Sequence, residues 1–480
     1  MSPTHPASDE SPSRRSVLVT GATGHVGSHL VPALLERGHS VRVLSRSEGS
    51  VARHPWAGDV DVAIGDVTRA EALDTALADV EVAYYLVHSM DGQGDFRRRD
   101  LEAARTFADA AARAGVGRIV YLSGLHPEGE LSEHLASRVE VGDVFLGASV
   151  PAAVLQAGIV LGRGSASFDM LRHLTERLPA MVTPRWIDNR IQPIALDDVV
   201  HFLVAAADVP PDSNRTWDIG GPEVLTYREM MQRYARVHGL RRRLIVHVPV
   251  LTPSLASHWV SAVTPVEAGI ARPLVGSLVH DAVCSEDDAL SVMGPPPGGL
   301  TPYDDAVRRA SEGADPRRWG RTLARTTAMT VAAAGTGSLL TKPDSAWYLS
   351  LDKPAWQPPA LAFPVVWSAL YADIAVTSAL TSTDLAEGGD EDAARAYERA
   401  LAANLVLNAA WSGVFFRARR PALSFVTAAL LAASSADLAR RAAAASPRRG
   451  AALTPYAAWC GFATLLSGEI ARRNPGGRAR

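Results

Sequence analysis

The chain has 480 residues, about twice the length at which a single hydrophobic core stops growing, so at least two domains are expected. Its 48 basic and 51 acidic residues give a net charge of -3 without a long basic run, which argues against a nucleic-acid partner. The two cysteines, Cys284 and Cys460, are far apart and lack metal-ligand spacing, so we expect neither a disulfide framework nor a metal site. The only two lysines are Lys342 and Lys353, which excludes chemistry by a lysine amine from the residues before them.

The first half of the chain has the pattern of successive βαβ units. From residue 16 to about residue 226, short β-branched runs alternate with alanine-rich helical stretches, which predicts an α/β Rossmann-type fold with a doubly wound parallel sheet. The predicted strands cover residues 16–20, 40–44, 60–64, 80–86, 118–123 and 153–159. Residues 1–15 are rich in serine and proline and lack the apolar stretch of a secretory signal, which predicts a disordered start and a cytoplasmic domain.

Changes in composition indicate the limits of the domains. Residues 244–266 carry no acidic or basic side chain apart from histidine, but three prolines argue against a spanning helix, so a packed extension is favoured over membrane contact. The run of prolines and glycines at residues 294–299 indicates a boundary. We therefore predict a first domain over residues 16–312, a linker over 313–320 and a second domain over 321–475.

The second domain contains five uncharged runs. They cover residues 326–341, 354–372, 400–416, 421–436 and 450–468, and each has 16 to 19 residues. This length is close to the roughly 20 residues that cross a bilayer as a helix. The repetition of such runs, separated by short charged or proline-containing loops, predicts an all-α five-helix transmembrane bundle, with a buried soluble bundle as the alternative.

Three glycines stand at the end of the first predicted strand. Gly21 permits a tight turn, Gly24 lets the backbone approach a pyrophosphate, and Gly27 permits close packing of the next helix. The N-terminus of that helix attracts negative charge. The pattern predicts a dinucleotide site, and the alternative is a turn that binds nothing.

The segment TGATGHVG around this turn resembles the short-chain dehydrogenase/reductase superfamily, in its extended or atypical branch with NmrA-like and epimerase-like members. Residues 193–199 and 218–222 are similar to later landmarks of that branch. The resemblance implies a cofactor that is contacted by the residues of the turn, which are Gly21, Thr23, Gly24, His25, Val26 and Gly27. It also implies that Asp66 and Val67, after the third strand, contact the adenine.

The end of the second strand indicates which dinucleotide is preferred. An NAD enzyme of this branch has an acidic residue there to hold the ribose hydroxyls, whereas this chain has Ser45, Arg46 and Ser47. Arg46 can pair with a 2′-phosphate, and either Ser45 or Ser47 can donate a hydrogen bond to it. NADP(H) is therefore favoured over NAD(H), and the alternative is that Arg46 is a solvated surface charge.

The candidate catalytic residues differ from those of the superfamily. The resemblance implies a serine after the fifth strand, then a tyrosine, and a lysine four residues later. Ser123 stands at the serine position, but His134 and Arg138 occupy the other two. A histidine near its ordinary pKa can act as acid or base without a lysine, and Arg138 can hold the nicotinamide ribose. The alternative is that His134 and Arg138 are ordinary helix-surface residues of a domain that binds NADP(H) without catalysing a reaction. His88 is a further pocket candidate, although a lone histidine is more often structural.

The second domain carries aromatic motifs in a definite order. A proline-rich loop with Trp347, Tyr348 and Trp356 precedes the second apolar run, and further motifs occupy residues 366–371, 408–416 and 455–459. Together they resemble the TspO/MBR family of tryptophan-rich sensory and translocator proteins, over about residues 321–474. The resemblance implies a five-helix membrane bundle, often a homodimer, around a pocket for porphyrins, other tetrapyrroles and, in some members, sterols.

By matching motif, the pocket candidates of the bundle are Trp356, Trp367, Tyr371, Asn408, Trp411 and Trp459. Aromatic faces stack on a flat macrocycle, although any one of these tryptophans can instead be an interfacial anchor. An amide inside a span is costly unless it faces a partner or a ligand. Ser467 and Gly468 replace the proposed cholesterol pattern of animal members, which argues against a sterol ligand.

Two classes of function are consistent with these patterns. The first is a membrane-anchored NADP(H)-binding protein whose bundle binds tetrapyrroles as a sensor or carrier, and the intact ligand motifs favour it slightly. The alternative is an NADPH-dependent oxidoreductase with a hydrophobic or tetrapyrrole substrate. A nucleotide-sugar epimerase is disfavoured because no lysine precedes Lys342. In each case we predict a multi-pass membrane protein with its N-terminal domain in the cytoplasm.

Overall fold

The computed structural model describes residues 14–88, 96–127, 131–248, 260, 263–266 and 268–475. It divides into two compact units, Met1–Gly313 and Ala314–Arg480. Most of the predicted disordered start, and residues 249–259 of the long uncharged stretch, lie outside the described residues. The first helix of the second unit begins at Arg318, inside the predicted linker.

A seven-stranded parallel sheet forms the centre of the first unit, in the order β3-β2-β1-β4-β5-β6-β11. Its strands are β1 (Ser16–Thr20), β2 (Ser40–Ser45), β3 (Asp61–Ile64), β4 (Val82–Tyr85), β5 (Arg118–Gly124), β6 (Ala152–Ala157) and β11 (Arg215–Ile219). The doubly wound α/β prediction is confirmed, and the six predicted strands are present with ends that differ by a residue or two. The seventh strand was not predicted.

Helices cover both faces of this sheet, so its central strands are buried on both sides and consist of continuous apolar runs such as Val17, Leu18 and Val19. Among the described residues of the first unit, the helices with defined ends are α1 (Gly27–Glu36), α2 (Glu48–Val51), α3 (Ala70–Ala76), α4 (Phe96–Ala114), α5 (Glu133–Leu146), α6 (Ala166–Arg177), α7 (Leu196–Ala205), α8 (Tyr227–Val237), α9 (Ala268–Ser277), α10 (Asp288–Met293) and α11 (Tyr303–Ala310). The carboxyl ends of the parallel strands share one edge, which is where ligands bind in such sheets.

A smaller lobe with its own apolar core continues from the end of β6. Its short strands are β7 (Val160–Leu161), β8 (Ala180–Thr183), β9 (Arg190–Ile191), β10 (Ile194–Ala195), β12 (Leu225–Thr226) and β13 (Leu244–His247). Strands β8 and β13 pair in parallel, with Leu244 opposite Ala180. The beginning of the uncharged stretch at residues 244–266 is therefore a strand of this lobe.

The described part of the second unit contains five long helices and one short one. They are α12 (Arg318–Leu340), α13 (Ala346–Leu349), α14 (Ala362–Glu387), α15 (Glu391–Ser412), α16 (Pro421–Ala445) and α17 (Pro447–Arg473), and a π-helical turn, Gly413–Arg417, extends α15. The predicted five-helix bundle is confirmed. The run predicted from residue 354 begins its helix only at Ala362, because Pro354, Pro358 and Pro359 keep the preceding residues in a loop.

The bundle is apolar outside and partly polar inside. Large apolar side chains are exposed on its outer surface, among them Val331, Leu339, Val365, Val376, Val406, Leu430 and Leu465. Small polar side chains are buried between the helices, among them Thr326, Thr330, Ser378, Thr381, Asn404, Ser424 and Ser435. This distribution is typical of helices that pack in lipid. By length and composition, α14 and α16 can each cross a bilayer.

Candidate functional site

The glycine turn between β1 and α1 has room for no side chain at two of its positions. Gly21 has a φ of 70°, and a Cβ there would lie 2.7 Å from the carbonyl oxygen of Leu86. A Cβ on Gly27 would overlap the carbonyl oxygen of Gly21. The turn therefore brings the β1 backbone and the start of α1 close together, as a pyrophosphate site requires.

A cavity of about 410 Å³ lies beside this turn, at the carboxyl ends of β4, β5 and β6. Its lining includes these predicted residues: Gly21, Gly24, His25, Val26, Gly27, Ser123, His134 and Arg138. Thr23 and the predicted adenine-side residues Ser45, Arg46, Asp66 and Val67 are not part of this lining. The structure thus brings the glycine turn and the three candidate catalytic residues to one cleft.

The adenine-side candidates lie at the carboxyl ends of β2, which pairs with β1, and of β3, which pairs with β2. Arg46 is exposed, and the hydroxyl of Ser45 donates to the carbonyl oxygen of Ser47 at 3.1 Å. Asp66 accepts hydrogen bonds from the backbone N–H and the hydroxyl of Thr68, and the pKa of its carboxyl is lowered, chiefly by the backbone bond. Arg46 is therefore accessible to a phosphate, whereas Asp66 is engaged in a local turn.

The side chains of Ser123 and Arg138 each donate a hydrogen bond to a backbone carbonyl oxygen, at Arg138 and at Leu122, the residue before Ser123. The hydroxyl of Ser123 is 3.4 Å from the carbonyl oxygen of Arg138, to which it donates. The guanidinium of Arg138 donates from Nη1 to the carbonyl oxygen of Leu122 at 3.1 Å. The positive charge of Arg138 is consequently held at the end of β5, on the wall of the cleft.

A buried line of three side chains ends at this cleft. His134, on α5, is 3.0 Å through Nδ1 from Nε2 of His88, and Nδ1 of His88 is 3.0 Å from Oδ2 of Asp100 on α4. A carboxylate only accepts, so Nδ1 of His88 donates to Asp100 and Nε2 of His88 accepts from Nδ1 of His134. This tautomer leaves Nε2 of His134 as an acceptor. We call these three residues the relay.

The expectation that His134 titrates near its ordinary pKa is wrong. Burial, then Arg138 and then His88 lower its pKa from 6.5 to about 2. Burial and Arg138 also lower the pKa of His88, against the opposing effect of Asp100. Both imidazoles are therefore neutral at neutral pH. The sequence identified His134 and gave His88 as a further pocket candidate, although a structural role was favoured for it. It missed Asp100, which no sequence spacing relates to His134.

His25 forms another part of the cleft wall. Burial, and to a smaller extent His29, lowers its pKa from 6.5 to about 4, so it is neutral at neutral pH. Its Nε2 atom is buried and has no hydrogen-bond partner among the residues that the structure describes. A neutral ring nitrogen on the glycine turn can contact a dinucleotide without adding charge.

In the bundle, three of the pocket candidates are in direct contact. The rings of Trp367 and Tyr371 on α14 stack with centroids 5.2 Å apart. The Tyr371 hydroxyl donates to Oδ1 of Asn408 on α15 at 2.7 Å. Asn408 is buried, and its Nδ2 group has no partner in the described part of the chain. This unpaired amide group, beside a stacked aromatic pair, can donate a hydrogen bond to an acceptor atom of a ligand.

The other three pocket candidates, Trp356, Trp411 and Trp459, each contact a phenylalanine ring. Trp411 stacks on Phe415, one helical turn later, with ring centroids 5.4 Å apart. Trp356 and Trp459 each contact Phe462, with centroids 5.8 and 5.4 Å away. Phe462 was not among the predicted pocket residues. Its position three residues after Trp459, on the same face of the helix, could have indicated it. Trp356 is half exposed, so it lies at the edge of this group of aromatic side chains and not in its interior.

The loop before α14 lies at the same end of the bundle as the end of α17. The backbone N–H of Asp352 donates to Oδ1 of Asn474, and Nδ2 of Asn474 donates to the carbonyl oxygen of Asp352 at 3.0 Å. Arg473 forms an ion pair with Asp352 at 3.5 Å. The tryptophan-rich loop and the C-terminal helix end therefore share one face of the bundle.

Comparison with known proteins gives two family matches. Residues 21–149 match an NAD(P)H-binding family and residues 326–473 match the TspO/MBR family. The chain is 30% identical over 237 residues to a ceramide reductase of Caulobacter vibrioides. This aligned region covers 48% of this chain and 73% of that protein. It is 35% identical over 133 residues to the translocator protein of Ovis aries, covering 28% of this chain and 78% of that protein.

Shorter or more distant similarities extend these matches. A 3-beta-hydroxysteroid dehydrogenase of Mycolicibacterium neoaurum is 36% identical over 115 residues, which span 22% of this chain and 31% of that protein. Among solved structures, triphenylmethane reductase of Citrobacter sp. in complex with NADP(H) has a TM-score of 0.50 at 19% identity. That alignment covers 61% of this chain and 99% of the other, and at this identity it shows a shared fold.

Proposed function

We propose that this chain, which belongs to the short-chain dehydrogenase/reductase superfamily through its N-terminal domain and to the TspO/MBR family through its C-terminal domain, is a membrane-bound NADP(H)-dependent oxidoreductase of an apolar alcohol or ketone. The N-terminal domain binds an NAD(P) cofactor. The C-terminal domain makes the chain a membrane protein. The alcohol chemistry, the preference for NADP(H) and the roles of individual residues are the proposal.

The observation that carries the proposal is the relay at the cleft. The superfamily's tyrosine and lysine are absent, but His134 lines the same cleft as the glycine turn and is hydrogen-bonded to His88, which is bonded to Asp100. Two neutral imidazoles and a carboxylate in line offer a path for a proton, which cofactor binding alone does not require. Such an arrangement orients a base and fixes its tautomer.

A nicotinamide cofactor held beside Gly21, Gly24 and Gly27 would supply the hydride acceptor for oxidation at the carbinol carbon. The hydroxyl proton passes to Nε2 of His134 as the O–H bond breaks and the carbonyl forms. His134 releases its Nδ1 proton to Nε2 of His88, so the positive charge comes to rest on His88 beside Asp100. Ketone reduction is the reverse and starts from the protonated relay. Ser123 lines the cleft near these atoms and is proposed to bind the substrate oxygen.

The direct test is turnover by the purified full-length chain in lipid nanodiscs. We expect NADP⁺ to be reduced in the presence of a secondary alcohol on an apolar skeleton, and the ketone to be found as the product. Matched reactions with a nucleoside-diphosphate sugar serve as the control for epimerase-like chemistry. Turnover of the sugar, or of neither class, while NADP(H) still binds, contradicts the proposal.

We predict that replacement of Arg46 by alanine removes the preference for NADP(H) over NAD(H). Arg46 is exposed at the end of β2, where a charge-assisted hydrogen bond to a 2′-phosphate contributes about 1.5–3 kcal/mol. Affinity for NADP(H) should therefore fall by roughly ten- to a hundredfold, while that for NAD(H) stays constant. Isothermal titration measures both, with Arg53→Ala as a surface control. Equal losses for the two cofactors contradict this role.

A second function, tetrapyrrole binding by the bundle, is supported by the contacts around Asn408. The stacked Trp367 and Tyr371 offer an aromatic face, and the unpaired Nδ2 donor of Asn408 lies beside them. A flat macrocycle with acceptor groups has the complementary chemistry. This binding is proposed as the sensor or carrier activity of the C-terminal domain, independent of turnover in the N-terminal domain.

Replacement of Trp367 by leucine is predicted to weaken protoporphyrin binding by about 1–3 kcal/mol, by analogy with the loss of one stacked base. The absorbance change of protoporphyrin on binding to the solubilised protein measures the affinity. Trp319→Leu is the matched control, because Trp319 lies at the start of α12, away from the aromatic loop that follows that helix. Unchanged affinity in the Trp367 variant removes this residue from the site.

The N-terminal domain is proposed to lie in the cytoplasm, where NADP(H) is found, and five spans then put the C-terminus on the opposite side. The contacts between Asp352 and Asn474 support placing the tryptophan-rich loop on that side too. We predict that a tag after the last residue is cleaved only by protease on the non-cytoplasmic side. A tag at the N-terminus should be cleaved only from the cytoplasm, and cleavage of both from one side contradicts an odd number of spans.

A further inference from the structure

A second cavity, of about 650 Å³, lies in the smaller lobe of the N-terminal domain. It is bounded by α6, α8, α9 and the β8–β13 pair, and its lining is largely apolar, with side chains such as Leu174, Met181, Met231 and Val275. Met170 and Leu278 line both this cavity and the dinucleotide cleft. The two spaces are therefore adjacent, and a volume of this size suits a drug-sized or lipid-sized ligand.

Two buried hydrogen-bond donors in the lining of this cavity lack partners. Tyr227 is only 3% exposed, and neither its hydroxyl nor Nε1 of Trp186 has a partner among the described residues. Leaving a buried donor unpaired costs about 1–3 kcal/mol, so such groups are rare in proteins. Nearby tyrosines are satisfied, because Tyr303 donates to the carbonyl oxygen of Met230 and Tyr234 donates to Glu176.

The outer wall of the cavity reaches the surface. Val182 and Val246, on the paired strands β8 and β13, line the cavity and are about half exposed, at 51% and 49%. Exposed valines beside an apolar space offer a route of entry for an apolar molecule. A ligand that enters there reaches Met170 and Leu278, behind which the relay and the glycine turn lie.

We infer that this cavity binds the apolar body of the substrate, and that Tyr227 and Trp186 donate hydrogen bonds to an oxygen of the substrate remote from its reacting carbon. The substrate class is an apolar alcohol or ketone of lipid or steroid size that carries a second oxygen as acceptor. This inference rests on the proposed oxidoreductase function and names its substrate class. A sterically rigid steroid and a flexible acyl lipid share this chemistry, so the experiment uses one probe of each kind.

The test is photolabelling of the full-length chain in nanodiscs, with no cofactor present. The probes are a diazirine derivative of a steroid diketone and a diazirine derivative of a long-chain N-acyl amide, and mass spectrometry maps the labelled peptides. At least one probe should label residues 170–181 or 227–231, and an excess of the same compound without diazirine should suppress the labelling. The probe that labels identifies which of the two skeletons the cavity accepts.

Three variants make the result specific. Val275→Trp fills the cavity and should reduce labelling there at least tenfold, and Tyr227→Phe should weaken binding about three- to tenfold by removing one donor. Tyr84→Phe is the matched control, because Tyr84 is fully buried with an unpaired hydroxyl but lies in the central sheet, outside the cavity lining. It should leave labelling unchanged.

Labelling of neither peptide by either probe, or labelling that both Val275→Trp and Tyr227→Phe leave unchanged, overturns the inference. Because photolabelling requires no turnover, this failure is distinct from a failure of the proposed function. Cavity labelling without any alcohol oxidation contradicts the oxidoreductase proposal and leaves the cavity as a lipid-binding site. Turnover of an apolar alcohol without cavity labelling keeps the oxidoreductase and removes this site from it.

Discussion

Replacement of His134 by glutamine is expected to lower the rate of alcohol oxidation by about 10²–10⁴-fold, with little change in NADP(H) affinity. The reason is that Nε2 of His134 is the only acceptor that the relay leaves open toward the cleft, and glutamine cannot take up a proton there. Initial rates and cofactor titration on the same preparation measure the two effects. His54→Gln is the matched control, because His54 stacks on Trp56 and does not line the cleft.

The pH dependence of the unaltered chain provides an independent check on the same base. Protonation of the relay inactivates it for oxidation, and burial with Arg138 lowers the pKa of both imidazoles below the ordinary value of 6.5. The inactive form therefore accumulates only below pH 6.5, so the midpoint of the fall in oxidation rate should lie below that value. A midpoint at or above pH 6.5, or a His134 variant within a factor of two of the unaltered chain, removes His134 as the base.

Replacement of Asp100 by asparagine is expected to lower oxidation by a similar factor, about 10²–10⁴, through the tautomers of the two histidines. The asparagine amide can donate to Nδ1 of His88, which moves the His88 hydrogen to Nε2. That hydrogen is then donated to Nδ1 of His134, so Nε2 of His134 carries a hydrogen and no longer accepts a proton. The effect requires no change in the position of any ring.

Steady-state rates over a range of pH measure this prediction. No pH should restore the activity of Asp100→Asn, because the substitution changes the tautomer rather than a charge that titrates. Asp109→Asn, an exposed change on the same helix α4, is the control and should retain full activity. If Asp100→Asn loses less than threefold in rate, or loses NADP(H) binding and stability together with the rate, Asp100 has only a structural role.

The sequence by itself determined the features that depend only on residues close together along the chain. A continuous apolar run followed by Gly21, Gly24 and Gly27 identifies the first strand and its turn, because the backbone at Gly21 and Gly27 tolerates no Cβ. Absence of charge over 16 to 19 residues, repeated five times, identifies the helices of the bundle. Each of these signals is contained in one segment, so no knowledge of distant contacts was needed.

Only the tertiary structure decided the state of the catalytic candidate and the identity of its partners. His88, Asp100 and His134 come from the end of β4, from α4 and from α5, and no spacing in the sequence relates them. The lowered pKa of His134 arises from burial and from Arg138, and burial is a property of the packed domain. The sequence therefore indicated the residue but not the lowered pKa of its imidazole.

The apolar cavity is likewise a product of tertiary structure. It forms where β8 pairs with β13, strands separated by about 60 residues, and where α6, α8 and α9 pack around that pair. Tyr227 follows an ordinary helix N-cap at Thr226, so its sequence context suggests only the start of a helix. Its hydroxyl becomes an unpaired donor only because chain segments far apart in sequence enclose it. Local pattern determines which elements form, whereas packing between distant elements determines which polar atoms remain for a ligand.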